Sequence, residues 1–318
     1  MLIHILLLII GFGVLIKGAD WLVDGGSALA RKYRISELAI GLTIVAFGTS
    51  MPELVVNTFA AYQGLSDIVF GNVIGSNIIN LFAILGITGI IAPFMVRSST
   101  VWREIPLSFF AVLVLFFLSN SFLSDTEILS RFDGLILLIF FCLFLYYIFQ
   151  QMKGENIPQE VTRKELSNLK TWIFIAAGLT FLISGGKLIV VNSVKIAQDL
   201  GISQTIIGLT IVAAGTSLPE LATSVVAAIK KNNDIAVGNI IGSNIFNIFF
   251  ILGVSALVRP VAFNIRFNYD LCLLGAGTLL LFIAMFSGKK KKLDRWEAVI
   301  LLLIYIGYTI YLIKKEIS

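Results

Sequence analysis

Two glutamates, Glu53 and Glu220, each stand in an apolar stretch that carries no other charged residue, over residues 38–62 and 202–229. Each glutamate ends the motif Gly-Thr-Ser-x-Pro-Glu. A charged side chain at the centre of a bilayer costs about 2.5 to 3.5 kcal/mol even on lenient insertion scales. Two such costs indicate a function, because ionisable residues in such positions are typical of ion pathways.

Pro52 and Pro219 directly precede the glutamates and predict a break in each helix at mid-membrane. Proline has no N–H to donate to the carbonyl four residues earlier, so the carbonyls of Gly48 and Gly215 are left free. Unpaired backbone groups at that depth must line a cavity or be buried in protein. Since a dehydrated cation needs bare carbonyls, the breaks predict further ligands beside the carboxylates.

Ser50 and Ser217 stand three residues before the glutamates, and this spacing matches a capping box. We therefore expect each serine to cap the half-helix that begins after the break. Glutamine would complete the capping box nearly as well as glutamate, so the charge is expected to have a further role. In the first turn of a half-helix, the helix dipole favours an ionised carboxylate by roughly 0.3 to 1 kcal/mol.

A second pair of segments carries polar residues four positions apart, which places them on one helical face. The first stripe consists of Asn72, Ser76 and Asn80, and it is repeated as Asn239, Ser243 and Asn247. The residues nearer mid-span are expected to bind cations: Ser76, Asn80, Ser243 and Asn247. Cation binding and hydrogen bonding between helices are both open for Asn72, Asn77, Asn239 and Asn244.

These segments belong to an internal duplication. Residues 35–53 match 202–220 at 14 of 19 positions, and residues 67–86 match 234–253 at 14 of 20, all at an offset of 167. The similarity is concentrated in the polar, glycine-containing segments, which indicates two copies of one functional unit.

The composition is that of a polytopic membrane protein, with 58% hydrophobic and 14% charged residues, against roughly a half and a quarter in soluble domains. The first apolar run has neither a basic region before it nor a cleavage site after it, so we expect a retained span rather than a signal peptide. Runs of about 20 residues predict ten transmembrane helices, at about 2–28, 38–62, 68–92, 102–121, 130–150, 170–197, 205–229, 235–258, 268–287 and 295–313.

Five spans per copy is an odd number, so the second copy enters the membrane with the opposite orientation. The sequence therefore predicts an all-α membrane protein of ten transmembrane helices in two inverted five-helix repeats. The discontinuous second and seventh spans and the polar third and eighth spans would form a midplane site, as in secondary transporters. We assign residues 1–150 to the first repeat, 151–169 to a cytoplasmic linker and 170–318 to the second repeat.

Lys and Arg residues are distributed unequally between the two sides of this arrangement. One side has sixteen and the other has five, leaving aside Lys17, Lys187 and Lys195, which lie within spans. The positive-inside rule predicts that both termini face outward, extracellular or periplasmic, from a plasma (inner) membrane. The positive net charge therefore indicates anchoring in the lipid bilayer; we expect no nucleic-acid partner and no obligatory protein partner.

Residue types limit the chemistry that remains. The chain has one histidine, His4, and its two cysteines, Cys142 and Cys272, lie in apolar runs, so any metal must be bound by oxygen. No phosphate loop occurs, and neither a catalytic nor a cofactor motif is evident, so we expect a protein that is not an enzyme and has no cofactor. Calcium and sodium suit an all-oxygen cage with two carboxylates, whereas magnesium demands an octahedron and keeps its waters.

With GTSxPE and GSNxxN motifs in both copies, the chain resembles the sodium/calcium exchanger family of the cation/calcium antiporter superfamily, as a prokaryotic-type member without a regulatory domain. The resemblance covers essentially the whole chain. The two alpha repeats of the family correspond to residues 38–92 and 205–258. The resemblance implies ten helices with both termini outside, and antiport of sodium and calcium by alternating access.

The resemblance also implies ligands, by motif position. For calcium it implies Glu53 and Glu220 with the backbone carbonyls of Thr49 and Thr216. For two flanking sodium sites it implies Ala46, Ser50 and Ser76 near one face and Ala213, Ser217 and Ser243 near the other. Between the glutamates it places Asn80 and Asn247. Some members carry Asp at the position of Asn247, and potassium dependence has been linked to that acid, so we expect no potassium requirement here.

The two glutamates also set a charge balance. With only these residues ionised, one Ca²⁺ leaves the cage neutral and three Na⁺ leave it at +1, so exchange at the family's usual three-to-one ratio would be electrogenic. Two alternatives stay open. In a calcium/proton antiporter, the same buried carboxylates would carry two protons. In a cation channel the pair would form a selectivity ring, although inverted half-helices argue against it.

Overall fold

The computed structural model describes residues 1–120, 127–154, 166–201, 213–286 and 291–317. Over these ranges the chain is almost entirely helical. The helices are α1 (Leu2–Tyr33), α2 (Glu37–Thr49), α3 (Met51–Gln63), α4 (Ser66–Ile91), α5 (Thr100–Ser119), α6 (Arg131–Gly154), α7 (Asn168–Asp199), α8 (Ala213–Gly215), α9 (Leu218–Ile229), α10 (Asn233–Val258), α11 (Phe267–Ala284) and α12 (Arg295–Ile317). Four two-residue strands are β1 (Phe94–Met95), β2 (Ile128–Leu129), β3 (Val261–Ala262) and β4 (Lys292–Leu293).

These helices confirm the predicted fold class, an all-α membrane protein. Within the described ranges, eight helices are long and apolar enough to cross a bilayer, and the bent pair α2 and α3 provides a ninth span. The shorter helices α8 and α9 form the later part of the predicted seventh span, of which residues 205–212 lie outside the described residues. The outer helices expose large apolar side chains, which suits a surface that faces lipid.

π-helical turns interrupt several helices, and the sequence did not indicate them. The turns in α4 and α10 are equivalent at the offset of 167 and contain Asn80 and Asn247. A π turn inserts a residue into the helix and is frequent at functional sites, so it re-aims the side chains around it. Among the residues that the structure describes, the turns are Gly41–Val45 in α2, Ile79–Ile84 in α4, Thr100–Glu104 in α5 and Phe246–Ile251 in α10.

Helices α1 and α7 begin the two repeats and pack against each other through glycines. A Cβ atom on Gly18 would lie 2.8 Å from the carbonyl oxygen of Gly178, and one on Gly11 would lie 3.3 Å from that of Gly185. The contacts run in opposite directions along the two helices, so the helices are antiparallel. The offset of 167 maps Gly11 onto Gly178 and Gly18 onto Gly185. Because equivalent helices are antiparallel, the repeats are inverted, as predicted.

The short strands join the two repeats. Strand β1 pairs with β4, and β2 pairs with β3, both antiparallel. Each pair connects the segment after the third span of one repeat to the segment between the fourth and fifth spans of the other. Sequence patterns did not predict these strands, because two residues are too few to show an alternation of apolar and polar side chains.

Charged residues within the first span form ion pairs with the end of α9. Lys230 Nζ lies 2.5 Å from Asp20 Oδ1 and 2.8 Å from Asp24 Oδ1. Nearby, Asn232 Nδ2 donates to Ser27 Oγ at 2.7 Å. These contacts fasten α1 to the end of α9 and the start of α10.

The glycine packing of α1 gives a stability prediction. Replacing Gly18 with alanine should destabilise the protein by about 1 to 3 kcal/mol, because the added methyl group overlaps the backbone of α7. Gly13 is the control, since a Cβ atom there meets nothing within 4 Å. Both substitutions improve helix propensity equally, so the difference between them isolates packing. Thermal unfolding in detergent measures it, and equal unfolding temperatures for the two variants would contradict the close approach of α1 and α7.

Candidate cation-binding site

Each glutamate lies in the first turn of a half-helix. Helices α2 and α3 meet at a bend of 49°, and Pro52 and Glu53 lie in the first turn of α3. Helices α8 and α9 are likewise separate, and Pro219 and Glu220 lie in the first turn of α9. Proline is accepted there because the first N–H groups of a helix have no intrahelical partner. The predicted breaks before both glutamates are therefore confirmed.

The expectation that Ser50 and Ser217 cap these half-helices with their side chains is wrong. Both serines occupy the N-cap position, but neither side chain accepts a hydrogen bond from the first turn. Capping needs an extended backbone, whereas Ser50 has φ −82° and ψ 7° and Ser217 has φ −86° and ψ 5°. Ser50 Oγ instead donates to Glu220 Oε1 at 3.0 Å, a bond between the repeats. A hydrogen bond to a carboxylate is stronger than one to a neutral group.

The two glutamates lie close to each other at the repeat interface. Both side chains are 1% exposed, and Ser50, three residues before Glu53, donates a hydrogen bond to Glu220. Each carboxylate lies beside the threonine and serine that precede the other glutamate: Thr216 and Ser217 next to Glu53, and Thr49 and Ser50 next to Glu220. Two carboxyl groups are thus enclosed by neutral oxygen groups.

Nine buried side-chain oxygens in this part of the core have no hydrogen-bond partner among the described residues. Buried polar atoms are nearly always satisfied in proteins, so a cluster of such oxygens is suited to binding an ion. Carboxylate, hydroxyl and amide oxygens are the ligands that calcium prefers, and this donor set therefore fits a dehydrated cation. The nine atoms are both oxygens of Glu53, Oε2 of Glu220, the hydroxyl oxygens of Thr216, Ser217, Ser76 and Ser243, and the Oδ1 atoms of Asn80 and Asn247.

The remaining residues of the expected ligand set are placed as follows. Ala46 is fully buried. The Thr49 hydroxyl hydrogen-bonds with the Ala46 carbonyl oxygen at 3.3 Å and with Asn239 Oδ1 at 3.0 Å. Ala213 is the first residue of α8, and its side chain lies outside what the structure describes. The division of all these residues between calcium and sodium stays a prediction.

The asparagines for which two roles were open make hydrogen bonds between helices. Asn72 Nδ2 donates to Asn57 Oδ1 at 2.7 Å, and Asn239 Nδ2 donates to Ser224 Oγ at 3.0 Å. Since Asn57 and Ser224 are equivalent at the offset of 167, the same link occurs in both repeats. Hydrogen bonds across the repeat interface are made by Asn77 and Asn244.

Sequence reasoning missed Asn57 and Ser224, both of which are fully buried. Each follows its glutamate by four residues, which places it one turn further along the same helical face. That spacing was the available signal. By tying α3 to α4 and α9 to α10, these side chains position the half-helices that carry the glutamates.

Comparisons with known proteins agree on one family. The family model described as sodium/calcium exchanger protein matches residues 3–150 and 170–314. The putative antiporter CaxA of Alkalimonas amylolytica is 39% identical over 97% of this chain and 98% of its own length. The sodium/calcium exchanger MaX1 of Methanosarcina acetivorans is 33% identical over 98% of both chains. Among solved structures, the sodium-calcium exchanger NCX_Mj superposes with a TM-score of 0.82 at 32% identity, over 98% of this chain and 99% of that one.

The geometry predicts that calcium binding depends on both glutamates. Glu53→Gln and Glu220→Gln should each lower calcium affinity by at least about 100-fold, because the attraction between unit charges about 4 Å apart is roughly 4 kcal/mol near a protein surface. Equilibrium binding of radioactive calcium to the purified protein measures this effect.

Glu104→Gln is the matched control, since Glu104 is also fully buried but accepts a hydrogen bond from Tyr147 in another part of the bundle. The control should bind calcium like the wild type. Retained affinity in either Glu53→Gln or Glu220→Gln would contradict the assignment of the site.

Proposed function

From the premise that the chain belongs to the sodium/calcium exchanger family, we propose that it exchanges sodium for calcium across the plasma membrane. The chain is a multi-pass membrane transporter, a cation/calcium antiporter and not an enzyme. The observation that carries the proposal is the cluster of nine unpartnered oxygens with two buried glutamates. Such a cage holds a cation whose hydration shell has been removed.

Calcium would bind between the repeats. Glu53 and Glu220 supply the two negative charges that neutralise Ca²⁺, and the backbone carbonyls of Thr49 and Thr216 supply neutral oxygens where the helices break. Calcium takes six to eight oxygen ligands in flexible geometry, so hydroxyl and amide oxygens of the cage would complete the shell.

Sodium would bind at positions that flank calcium and share its carboxylates. One set lies near one face of the site and its equivalent lies near the other, with two asparagines between the glutamates. Unpartnered hydroxyl and amide oxygens support these positions, because Na⁺ binds the same oxygens as Ca²⁺ at half the charge. The sets are Ala46, Ser50 and Ser76, Ala213, Ser217 and Ser243, and the central Asn80 and Asn247.

The neutral side chain of Asn247 supports exchange without potassium. With two carboxylates, one Ca²⁺ leaves the cage neutral and three Na⁺ leave it at +1, so three-for-one exchange moves one net charge per cycle. A third acidic residue at position 247 would add a negative charge and accommodate a further monovalent cation. Asparagine supplies an oxygen there without that charge.

Alternating access would open the site to one side of the membrane at a time. The inverted repeats supply the symmetry that such a mechanism needs, and α1 and α7 are the candidates for the moving elements because they pack against each other as one unit. The Lys and Arg distribution supports an arrangement with both termini outside and the segment between α6 and α7 in the cytoplasm.

Radioactive calcium uptake into proteoliposomes tests the proposal. Vesicles loaded with sodium should accumulate calcium, vesicles loaded with potassium or choline should not, and added potassium should change nothing. The Glu53→Gln variant should be inactive, with the Glu104→Gln variant as its matched control. Uptake driven by a proton gradient without sodium would replace this proposal with calcium/proton antiport, and single-channel currents would replace it with a channel.

Charge movement gives a second test. Each cycle in sodium-loaded vesicles moves one net positive charge outward, so an inside-positive potential should drive calcium uptake. At about 2.3 kcal/mol per charge per 100 mV, the calcium gradient reached at equilibrium should rise about 50-fold for 100 mV. A gradient that does not respond to an imposed potential would show that the exchange is electroneutral.

A further inference from the structure

Four asparagines from the two repeats form a closed hydrogen-bond network at the centre of the protein. Asn77 Nδ2 donates to the backbone oxygen of Asn244 at 3.2 Å, and Asn244 Nδ2 donates to that of Asn77 at 3.4 Å. Asn247 Nδ2 donates to Asn77 Oδ1 at 2.9 Å, and Asn80 Nδ2 donates to Asn244 Oδ1 at 3.0 Å. All four side chains are at most 3% exposed.

The backbone carbonyls fix the orientation of every amide in this network. A carbonyl oxygen only accepts hydrogen bonds, so Asn77 must present its NH₂ group to the backbone oxygen of Asn244. Asn77 Oδ1 is then the atom that faces Asn247, and Asn247 must present its own NH₂ group to it. A flipped Asn247 would place two amide oxygens against each other.

This chain of constraints leaves one atom of each central asparagine unpaired. The NH₂ groups of Asn80 and Asn247 are used by the network, whereas their Oδ1 atoms are buried and have no partner among the described residues. These two oxygens belong to the same unsatisfied set as those of the glutamates. The network therefore leaves an oxygen, and not a nitrogen, of each central asparagine unpaired.

We propose that Asn77 and Asn244 are positioning residues that each hold the central asparagine of the opposite repeat with its amide oxygen toward the cation. Asn77 acts on Asn247, and Asn244 acts on Asn80. The inference rests on the proposed function, since it assigns these residues to the same cation site. Each positioning residue thus acts on the central asparagine of the other repeat. The central asparagine that is nearer in sequence, Asn80 for Asn77 and Asn247 for Asn244, lies on its own helix.

Loss of a positioning residue has a specific chemical consequence. Without Asn77, the Asn247 amide is free to turn and to present its NH₂ group, which carries partial positive charge, to the cation. Calcium affinity should then fall by about tenfold, as for the loss of one hydrogen bond to a charged group. If the Asn247 side chain has already been removed, Asn77 has nothing left to orient.

A double-mutant cycle on calcium binding tests the crossed pairing. Asn77→Ala and Asn247→Ala should each weaken binding by about tenfold, and the double variant should be no weaker than the single ones. Asn77→Ala combined with Asn80→Ala should instead multiply to about 100-fold. The mirror cycle, Asn244→Ala with Asn80→Ala, should behave like the first. The inference would be overturned if the effects on calcium affinity multiplied in the crossed pairs, Asn77 with Asn247 and Asn244 with Asn80. It would also be overturned if coupling occurred only between two asparagines of the same helix.

A matched control separates positioning from the general loss of an amide pair between the repeats. Asn120 and Asn268 also donate to each other reciprocally between the repeats, at 2.8 and 2.7 Å, but at the ends of α5 and α11. Asn120→Ala should leave calcium affinity unchanged. An equal loss of affinity in this variant would mean that Asn77 and Asn244 are structural residues only.

The readout also keeps the inference separate from the proposed function. Equilibrium binding of radioactive calcium to detergent-purified protein does not depend on sodium coupling. If the wild-type protein bound calcium but showed no sodium-driven uptake, the proposed exchange would be refuted, and the double-mutant cycle on calcium binding could still be measured. Elution as a single species from a sizing column checks folding. Where an alanine variant fails this check, the corresponding serine variant is used instead. The serine side chain is too short for its hydroxyl to reach the amide of the opposite repeat.

Discussion

The burial of two neighbouring carboxyl groups is the constraint on which the rest of this structure depends. Glu53 and Glu220 are almost fully buried beside each other, and in a low-dielectric interior like charges are costly unless a cation neutralises them. The helix breaks place each carboxylate in the first turn of a half-helix, where the helix dipole favours a negative charge. The surrounding hydroxyl and amide groups add oxygens without adding charge. In the proposed exchange, bound cations would supply that neutralisation.

The two repeats use equivalent residues in different ways. Ser50 donates to Glu220 and Thr49 hydrogen-bonds with Asn239, whereas the equivalent hydroxyls, on Ser217 and Thr216, have no partner among the described residues. Because the sequences around these hydroxyls are nearly identical, the same contacts are chemically available to either repeat. Inverted repeats place the two alternatives on opposite sides of the site. The asymmetry is thus confined to the geometry of a few hydrogen bonds, since Thr216 and Ser217 lie beside Glu53 as Thr49 and Ser50 lie beside Glu220.

Local chemical signals made part of this structure predictable. Proline in the interior of a helix breaks it, so Pro52 and Pro219 predicted the two breaks. Isolated glutamates in apolar stretches are energetically costly, so the two carboxyl groups could also be identified from the sequence. The duplication added the inversion, since five spans per copy is an odd number. Features that depend on the relative position of helices were not visible. Neither Ser50 nor Ser217 caps its half-helix, and Ser50 instead bonds across the interface, because their backbone is not extended. No sequence pattern encodes that conformation. The π turns that contain Asn80 and Asn247 could not be predicted from the sequence either, because their residues have no distinguishing helix propensity.

Neutral ligands explain how one cage suits ions of different charge. Added carboxylates would hold a divalent cation more strongly, but they would also oppose its release and demand more monovalent ions in exchange. In the proposed cage, amide and hydroxyl oxygens would coordinate either ion while leaving the net charge at the value set by the two glutamates. An amide is a dependable ligand only if its orientation is fixed, because its two ends have nearly the same shape and opposite polarity. In the Asn77 and Asn244 network, backbone carbonyls provide that reference, since they cannot act as donors. If the central side chains bind the cation as proposed, the peptide backbone at the repeat interface determines which end of each one faces it.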